Sequence, residues 1–418
     1  MAAMLVASRA MTTTPRERAV LVGVILGGQT RSMIEGHLDE LAQLVDTAGG
    51  EAVARIIQER SSPDRATFIG KGKVEELAAA VKEFDACMAV FDDDITGSQV
   101  RHLEEGLPEE IKVIDRAGII LDIFASRARS REAQTQVELA QMKYMLSRLT
   151  RRWTHLSRQA GGIGTRGVGE TQLESDRRVI RTRIAALTDA LGEIEQERGI
   201  QRRRRRAEML SVALVGYTNA GKSTLFERLT RSSTLIEDRL FATLDSRVRR
   251  ADLGDEMVIT VADTVGFIRK LPHDLVASFR STLAEAGEAD VLLHLVDASH
   301  PDWPDQLRVG EEVLASLDLD PRDAIIVLNK IDRVALDEVV APLDRVSVLV
   351  SARDGIGIDG LKTAIRQRIL ARPDVALLRF SPEGGEALGR AMADETVIAR
   401  RFGPEGIELV VRRRLSGA

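Results

Sequence analysis

A glycine-rich run in the second half of the chain has the residue types that bind phosphate. It reads Gly216-Tyr217-Thr218-Asn219-Ala220-Gly221-Lys222-Ser223, between an apolar stretch, Ser211–Val215, and a helical pattern from Thr224. This is the P-loop spacing, in which glycines let the backbone wrap the phosphates at a helix N-terminus. Lys222 is expected to reach the β- and γ-phosphates, and the Ser223 hydroxyl to bind Mg²⁺. The run predicts a site for ATP or GTP.

Three further motifs, each after a predicted strand, add contacts to the Mg²⁺ ion, the γ-phosphate and the base, and those to the base favour guanine. They are Asp263-Thr264-Val265-Gly266 after Met257–Ala262, Asn329-Lys330-Ile331-Asp332 after Ala324–Leu328, and Ser351-Ala352-Arg353 after Val346–Val350. Asp263 is expected to hold the Mg²⁺ shell through a water, and the Gly266 N–H to meet the γ-phosphate. The Asp332 carboxylate can accept from the guanine N1–H and amine, which adenine lacks. Four motifs in this order, each at the carboxyl end of a strand, predict a G domain.

A fifth segment is the candidate for the first switch. Phe241-Ala242-Thr243-Leu244-Asp245 lies between the P-loop and Asp263. A G domain needs a threonine there whose hydroxyl binds Mg²⁺ only when the triphosphate is present. Thr243 is the best candidate, and Thr234 is the alternative, although no hydrophobic residue precedes it.

Phe267 follows Gly266 at the place where Ras-like enzymes have a water-orienting glutamine. An apolar ring cannot orient water by hydrogen bonding, so hydrolysis needs another group, a partner or a monovalent cation. Asn219 leaves two interpretations open. It resembles the asparagine with which potassium-activated G proteins hold K⁺ against the phosphates, or it only caps or orders the loop. The candidate catalytic residues are thus Lys222, Thr243, Gly266 and Asn219.

Composition limits the class of protein that carries these motifs. A chain of 418 residues suggests two to four domains, and 3% aromatic residues imply aliphatic cores. The single cysteine, Cys87, excludes an intramolecular disulfide and is typical of a reducing compartment. No apolar run is long enough for a membrane span or a secretory signal. We therefore expect a soluble, cytoplasmic protein.

The N-terminal part alternates strand and helix patterns, which is typical of a small α/β domain with a largely parallel sheet. Residues Ala52–Gln58 predict a strand or a short helix. Residues Thr67–Lys73 predict a short strand and a glycine loop before a helix, Val74–Phe84. The other predicted elements are strands at Ala19–Leu26, Cys87–Phe91 and Lys112–Ile114 and a helix at Ile34–Ala48.

The next segment carries two apolar stripes at helical spacing, separated by the glycine loop Gly161–Gly169. The first stripe is Leu139, Met142, Leu146, Leu149, Trp153 and Leu156, and the second is Leu173, Ile180, Ile184, Leu187, Leu191 and Ile194. They predict an antiparallel helical hairpin. Residues 127–206 contain 19 Lys/Arg against 9 Asp/Glu, a net charge of +10 in a chain whose total is −5. That charge indicates either nucleic-acid contact or a solvated helical face.

The predicted fold class is α/β, a P-loop G domain with three additions. We expect a disordered tail (1–17), an N-terminal α/β domain (18–126), the antiparallel hairpin with its glycine-rich loop (127–209), the G domain (210–372) and a small C-terminal α/β domain (373–418).

From about Arg18 to Ala371 the sequence closely resembles the HflX family of ribosome-associated GTPases. The resemblance rests on Thr67–Lys73 with Val74-Glu75-Glu76-Leu77, on the glycine loop continued by Glu170–Glu174, on Phe241–Asp245 and on Asp263–Ile268. Asp245-Ser246-Arg247 lacks the proline that often follows this aspartate in the family, and the tail from Val375 is variable in it.

The resemblance implies a GTPase switch that uses Mg²⁺ and binds GTP, GDP and the large ribosomal subunit. It also implies splitting or rescue of stalled or stressed ribosomes, with rRNA contacts at Arg151, Arg152, Arg158 and Arg166. K⁺ is a second candidate cofactor, and we expect a monomer. The alternatives are an NTP-driven RNA remodeller, a ribosome-assembly factor and a nucleotide-gated scaffold. Gly70-Lys71-Gly72-Lys73 lacks P-loop spacing, so the N-terminal half offers no second P-loop.

Overall fold

The computed structural model describes most of the chain in two units. The described residues are 16–149, 168–232, 240–241, 244, 247–254, 256–270, 285–335, 342, 344–381, 385–403 and 406–413, with the backbone alone for 168–173, 203–204 and 206–208. One unit comprises residues 1–120 and 147–161, and the other comprises 121–146 and 162–418. None of the helices in the described ranges combines the length and apolar character that crossing a bilayer requires.

A four-stranded parallel sheet forms the first unit, in the order β2-β1-β3-β4. Its elements are β1 (Arg18–Ile25), α1 (Arg31–Thr47), β2 (Glu51–Glu59), α2 (Lys71–Glu83), β3 (Met88–Phe91), α3 (Gly97–Gly106) and β4 (Lys112–Asp115). Strands β1 and β3 are almost entirely buried and carry continuous apolar runs, because helices cover a parallel sheet on both faces.

Two local predictions for this unit are settled by the structure. Glu51–Glu59 is a strand rather than a short helix, since it pairs in parallel with β1. The predicted glycine loop before Val74 is wrong, because α2 already begins at Lys71 and has Gly70 as its N-cap. Gly70 is held by its N–H, which donates to Gln58 Oε1 at 2.8 Å. Gly72 has open space around it, so this glycine does not force a loop.

Three helices connect the two sheets in sequence: α4 (Arg116–Arg127), α5 (Arg131–Arg148) and α6 (Val168–Glu208). Helices α5 and α6 pack through apolar residues of the two predicted stripes: Leu139, Met142, Ile184, Leu187 and Leu191. Ion pairs join Arg183 to Glu138 at 2.6 Å and Arg198 to Glu132 at 2.6 Å. Since one partner's number rises as the other falls, the helices are antiparallel, and part of the segment's positive charge is paired internally.

A six-stranded sheet in the order β10-β9-β8-β5-β7-β6 forms the centre of the second unit. Its elements are β5 (Ser211–Gly216), α7 (Lys222–Thr230), β6 (Arg247–Asp252), β7 (Val258–Asp263), β8 (Val291–Asp297), α8 (Trp303–Ser316), β9 (Ile325–Asn329), β10 (Ser347–Leu349) and α9 (Ile358–Leu370). Only the pairing of β6 with β7 is antiparallel among the described pairs of this sheet. The carboxyl ends of β5, β7, β8 and β9 therefore meet at one edge.

The C-terminal elements are β11 (Val375–Phe380), α10 (Gly385–Asp394), β12 (Thr396–Gly403) and β13 (Gly406–Arg412), and their strands form an antiparallel sheet. Val375, Ala399 and Val410 belong to the same hydrophobic cluster as the core of the six-stranded sheet. The side chain of Asp290, just before β8, is fully buried and accepts from Arg412 at 2.9 Å. The C-terminal sheet thus shares a hydrophobic core with the six-stranded sheet. The predicted α/β fold class is confirmed.

Candidate nucleotide-binding site

The two P-loop glycines occupy positions that no other residue fits. Gly216 ends β5 with φ 143°, and a Cβ placed on it would lie 2.2 Å from the Leu295 carbonyl oxygen on β8. Gly221, the N-cap of α7, has φ 93°, and its Cβ would lie 2.2 Å from Asn329 Nδ2. Both glycines are required by close approach as well as by backbone conformation. The loop therefore has the shape that exposes backbone N–H groups at a helix N-terminus.

Lys222 opens α7, and its ammonium group points back along the loop. Its Nζ donates to the carbonyls of Gly216 at 3.0 Å and Tyr217 at 2.7 Å. Burial lowers the pKa of Lys222 to about 8, an effect that Asp263 opposes and Lys330 adds to. The buried Lys222 ammonium group is shielded from water, which would otherwise stabilise its positive charge. The negative oxygens of a bound phosphate can stabilise that charge instead.

Ser223, in the first turn of α7, lies beside Asp263, the last residue of β7. The Ser223 hydroxyl donates to Asp263 Oδ2 at 3.0 Å, and Asp263 is fully buried. The next residue, Thr264, is also fully buried, and its hydroxyl donates to the Leu214 carbonyl at 2.7 Å. The paired hydroxyl and carboxylate oxygens are the donors that Mg²⁺ prefers, so the residues present fit a magnesium ion.

The segment after Asp263 is joined to the P-loop by backbone hydrogen bonds. The Phe267 N–H donates to the Gly216 carbonyl at 2.9 Å, and the Thr218 N–H donates to the Phe267 carbonyl at 2.7 Å. A Cβ placed on Gly266 would lie 2.9 Å from Lys222 Nζ, so a side chain there would collide with the lysine. Phe267 is 1% exposed and lies edge-on to His294, with ring centroids 6.5 Å apart. An apolar, buried Phe267 cannot hydrogen-bond to water.

Asn329 connects the P-loop to the other end of the site. Its Nδ2 donates to the Ala220 carbonyl at 2.8 Å, and its Oδ1 accepts from the Ala352 N–H at 3.0 Å. One buried amide therefore binds the phosphate loop and the Ser351–Arg353 motif together. A side-chain amide can form both bonds because it has a donor and an acceptor. A carboxylate only accepts, and an aliphatic side chain does neither.

The predicted base-selecting residues also lie together. The Ser351 hydroxyl donates to Asp332 Oδ1 at 2.7 Å. This hydrogen bond is the main cause that lowers the pKa of Asp332, with Arg333 and Arg353 as weaker contributors. Asp332 is therefore an ionised acceptor at neutral pH, as recognition of a guanine edge requires. Lys330 has φ 64°, and its Nζ lies 2.8 Å from Asp297 Oδ2.

The remaining P-loop residues differ in exposure. Tyr217 is buried, and its hydroxyl oxygen accepts from the Arg269 N–H at 2.9 Å. Asn219 is exposed, with φ 61°. Within the described ranges its side chain makes no hydrogen bond, and no side-chain hydrogen bond caps α7. Thr224 and Ile331 lie in the first turns that follow Ser223 and Lys330.

Part of the predicted site lies outside the described residues. This holds for Ala242, Thr243 and Asp245 of the first switch, for Thr234, and for Arg151, Arg152, Arg158 and Arg166. The two switch residues that are described, Phe241 and Leu244, are both buried.

Two residues in this region were missed by sequence reasoning. Asp297, the partner of Lys330, is an acidic residue at the carboxyl end of the apolar run Val291–Val296, and this signal could have marked it. Phe124 on α4 lies against Phe241, with ring centroids 4.6 Å apart. No local signal identifies Phe124, because nothing in its neighbourhood along the chain points to a segment so distant in sequence.

Comparison with known families gives three consecutive matches between residues 35 and 330. Residues 35–125 match a family described as the GTP-binding GTPase N-terminal region, and residues 127–205 match the GTP-binding GTPase middle region. Residues 211–330 match a family described as 50S ribosome-binding GTPase.

Among curated proteins, the chain is 44% identical over 395 residues to a GTPase HflX of Caldanaerobacter subterraneus, covering 94% of this chain and 90% of that one. It is also 44% identical over 381 residues to the GTPase HflX of Escherichia coli, covering 90% of this chain and 88% of that one.

Among solved structures, the chain resembles a GTP-binding protein from Sulfolobus solfataricus in complex with GDP. That match has 22% identity and a TM-score of 0.43, and it covers 84% of this chain and 98% of the other.

Proposed function

The chain belongs to the HflX family of GTPases, and on that premise we propose that it is a GTP-controlled switch acting on ribosomes. It binds guanine nucleotides and hydrolyses GTP to GDP and phosphate. In the proposal, the GTP-bound form binds the large ribosomal subunit in the cytoplasm and splits stalled or stressed ribosomes. Hydrolysis then releases it.

The observation that carries the proposal is that one chain combines the sequence motifs of a guanine-nucleotide site with a strongly basic segment. Residues 127–206 have a net charge of +10 in a chain of net charge −5. Neutralising phosphates with Lys and Arg supplies affinity for any RNA surface. The name of the family matched by residues 211–330, a 50S ribosome-binding GTPase, supports the large subunit as the partner.

Each residue of the site has a role in this proposal that its geometry supports. Lys222 binds the β- and γ-phosphates, and the Gly266 N–H contacts the γ-phosphate. Asp332, kept ionised by Ser351, accepts from the guanine edge. Asn329 keeps the phosphate and base halves at a fixed separation through its bonds to Ala220 and Ala352.

Ser223, Thr243 and Asp263 are the proposed holders of Mg²⁺, with Asp263 acting through a water. The ion supplies positive charge against the β- and γ-phosphate oxygens. Ser223 and Asp263 are preorganised by their 3.0 Å hydrogen bond, so their oxygens need little rearrangement to accept an ion. Thr243 is proposed to join them only in the triphosphate state, which makes the first switch sensitive to the γ-phosphate.

Slow intrinsic hydrolysis is part of the proposed switch. Phe267 is buried, and its backbone is bonded to Gly216 and Thr218. We infer that activation comes from the ribosome, which can order both switches, or from K⁺ held by the exposed Asn219. A protein that hydrolyses GTP slowly until it reaches its target stays in the binding-competent state long enough to find it.

Cosedimentation with isolated subunits tests the partner, with GDP and with a non-hydrolysable GTP analogue. The protein should pellet with the large subunit in the analogue and much less in GDP, and the analogue complex should lower the light scattering of intact ribosomes as they split. Binding to both subunits in both nucleotides would contradict the proposal. Binding without loss of scattering would favour a ribosome-assembly role over splitting.

A charge-removal variant tests the surface. Replacing Arg151, Arg152, Arg158 and Arg166 by Ala should weaken binding and flatten the dependence of log affinity on log salt by about 3, since each phosphate contact contributes roughly 0.7 to 0.9. The matched control replaces four exposed arginines elsewhere: Arg31, Arg308, Arg390 and Arg401. Equal salt slopes in the two variants would favour a solvated helical face for the first four.

A further inference from the structure

Thr218, the third residue of the P-loop, carries a buried hydroxyl that the fold itself does not use. The residue is 6% exposed, and its N–H is bonded to the Phe267 carbonyl at 2.7 Å. Its Oγ1 has no hydrogen-bond partner among the described residues. Buried hydroxyls in native proteins are nearly always hydrogen-bonded, so one without a partner calls for an explanation such as an unfilled ligand position.

The surroundings of Thr218 locate that position. A Cβ placed on Gly266 would lie 2.9 Å from Thr218 Cα, 2.9 Å from Thr218 Cγ2 and 2.9 Å from Lys222 Nζ. The Thr218 methyl carbon, the Gly266 backbone and the Lys222 ammonium group therefore surround one spot, and the unpartnered Thr218 hydroxyl is attached to the same Cβ as that methyl group. Lys222 and Gly266 are the residues that the proposed placement of GTP puts against the γ-phosphate.

That spot lacks the polar side chain that orients water in Ras-like enzymes. Phe267 is apolar, 1% exposed, and packed edge-on against His294. Among the residues described around Gly266, Thr218 offers a buried neutral donor that can also accept, and a hydroxyl rotates to suit the geometry of its partner. Its methyl group lies next to Gly266, and its hydroxyl has no hydrogen-bond partner among the described residues.

We propose that Thr218 is a catalytic residue whose hydroxyl donates a hydrogen bond to an oxygen of the γ-phosphoryl group during transfer. The inference rests on the placement of the triphosphate against Lys222 and Gly266. In the step, the water oxygen forms a bond to the γ-phosphorus. The bond from that phosphorus to the bridging oxygen breaks, and its electron pair stays on GDP. The water protons pass to the released phosphate and to solvent, and Thr218 keeps its own proton throughout.

A donor aimed at an oxygen of the transferring group acts more strongly in the transition state than in the ground state. Thr218→Val, which replaces the hydroxyl by a methyl group of similar size, should lower single-turnover GTP hydrolysis about tenfold to a hundredfold. GDP affinity and melting temperature should change little. Thr218→Ser restores the hydroxyl and should recover most of the rate. Binding of GDP with aluminium fluoride, which mimics the transferring group, should weaken in the Val variant but not in the Ser variant.

Two further variants make the outcomes distinguishable. Thr363→Val makes the same chemical change on the exposed face of α9 and should leave the rate unchanged. Lys222→Ala should abolish GTP binding, and if it binds and hydrolyses GTP normally, the placement of the triphosphate is wrong. A native rate in Thr218→Val together with an inactive Lys222→Ala would overturn the Thr218 role alone. Loss of GDP affinity in both the Val and the Ser variants would make Thr218 a structural residue of the loop and overturn the inference as well.

Discussion

The ring of Phe241, the first residue of the predicted first switch, lies edge-on against the Phe124 ring of helix α4, with centroids 4.6 Å apart and planes at 78°. Both side chains are buried, at 2% and 1% exposure. Phe241 has φ 54°, a left-handed conformation that bulky residues seldom adopt, so tertiary contacts must hold it there. The contact fixes the backbone two residues before Thr243, the predicted sensor of the γ-phosphate.

This aromatic pair predicts a measurable coupling. Phe124→Leu and Phe241→Leu should each destabilise the protein by about 1 to 2 kcal/mol. The double variant should be more stable than the sum predicts by about 1 kcal/mol, since edge-to-face pairs contribute that much beyond burial. Urea unfolding of the four proteins gives the cycle. Both single variants should also slow GTP hydrolysis, whereas Phe91→Leu, in the core of the first unit, should reduce stability alone. Normal hydrolysis in Phe241→Leu would remove the pair from switch positioning.

Base specificity should reside in Asp332. Asp332→Asn keeps an acceptor for the Ser351 hydroxyl, so the loop should stay folded while the guanine edge loses its carboxylate. GTP affinity should fall by about a hundredfold or more, because a site built for a hydrogen bond strongly rejects a mismatched group. Xanthosine triphosphate should bind better than GTP. Nucleotide titrations measure both affinities, with the exposed Asp359→Asn as control. If the Asp332 variant still prefers GTP, the specificity assignment is wrong.

The first switch should use Thr243 only with the triphosphate. Thr243→Ala should retain GDP affinity and lose most hydrolysis, since the contact that it removes is made only when the γ-phosphate is present. Fluorescent GDP binding and single-turnover hydrolysis separate the two effects, and Thr234→Ala is the matched comparison. Equal loss of GDP binding in the Thr243 variant, or loss of hydrolysis in the Thr234 variant instead, would reassign the switch threonine.

Potassium should stimulate hydrolysis if Asn219 holds a cation against the phosphates. A well-placed positive charge on the transferring group contributes on the order of 3 kcal/mol, which corresponds to roughly a hundredfold in rate. GTP turnover should therefore be much faster in KCl than in NaCl at equal ionic strength, and Asn219→Ala should lose the difference. Equal native rates in both salts would leave the ribosome as the proposed activator. A K⁺ response that survives in Asn219→Ala would exclude Asn219.

His294 should make stability depend on pH. Burial, then Lys222 and Arg345, lower the pKa of this histidine from 6.5 to about 3 in the folded protein. The unfolded chain binds a proton at His294 below pH 6.5 and the folded chain does not, so stability is complete above that pH and falls as the solution becomes more acidic. The loss is about 1.4 kcal/mol per pH unit, or about 2 kcal/mol at pH 5.

Urea unfolding between pH 7 and 5 measures this dependence. His294→Leu should show a flatter stability curve, whatever its absolute stability, because the titrating group is gone. His300→Leu, in the loop after β8, should keep the steep dependence that His294 causes. A His294→Leu curve parallel to that of the native protein would contradict a buried, neutral His294.

Local sequence was sufficient for the elements that carry the site. The strand before Gly216 and the helix after Ser223 are where the apolar and glycine patterns predict them, since a P-loop is encoded within one short stretch of chain. The same reasoning failed at Gly70–Lys73, where two glycines suggested a loop. There the structure has the first turn of α2, because the Gly70 N–H is held by Gln58 from the preceding strand.

The sequence by itself thus determined the α/β fold class with a P-loop G domain, and it identified the motifs that are expected to bind the nucleotide. The tertiary structure alone decided how distant segments meet. Asn329 bonds to Ala220, 109 residues away, and to Ala352, 23 residues away. Val375 and Val410 complete the core of the six-stranded sheet. Residue types and spacing encode backbone conformation locally, but contacts between remote segments depend on how the helices and sheets pack, which no single stretch of chain specifies.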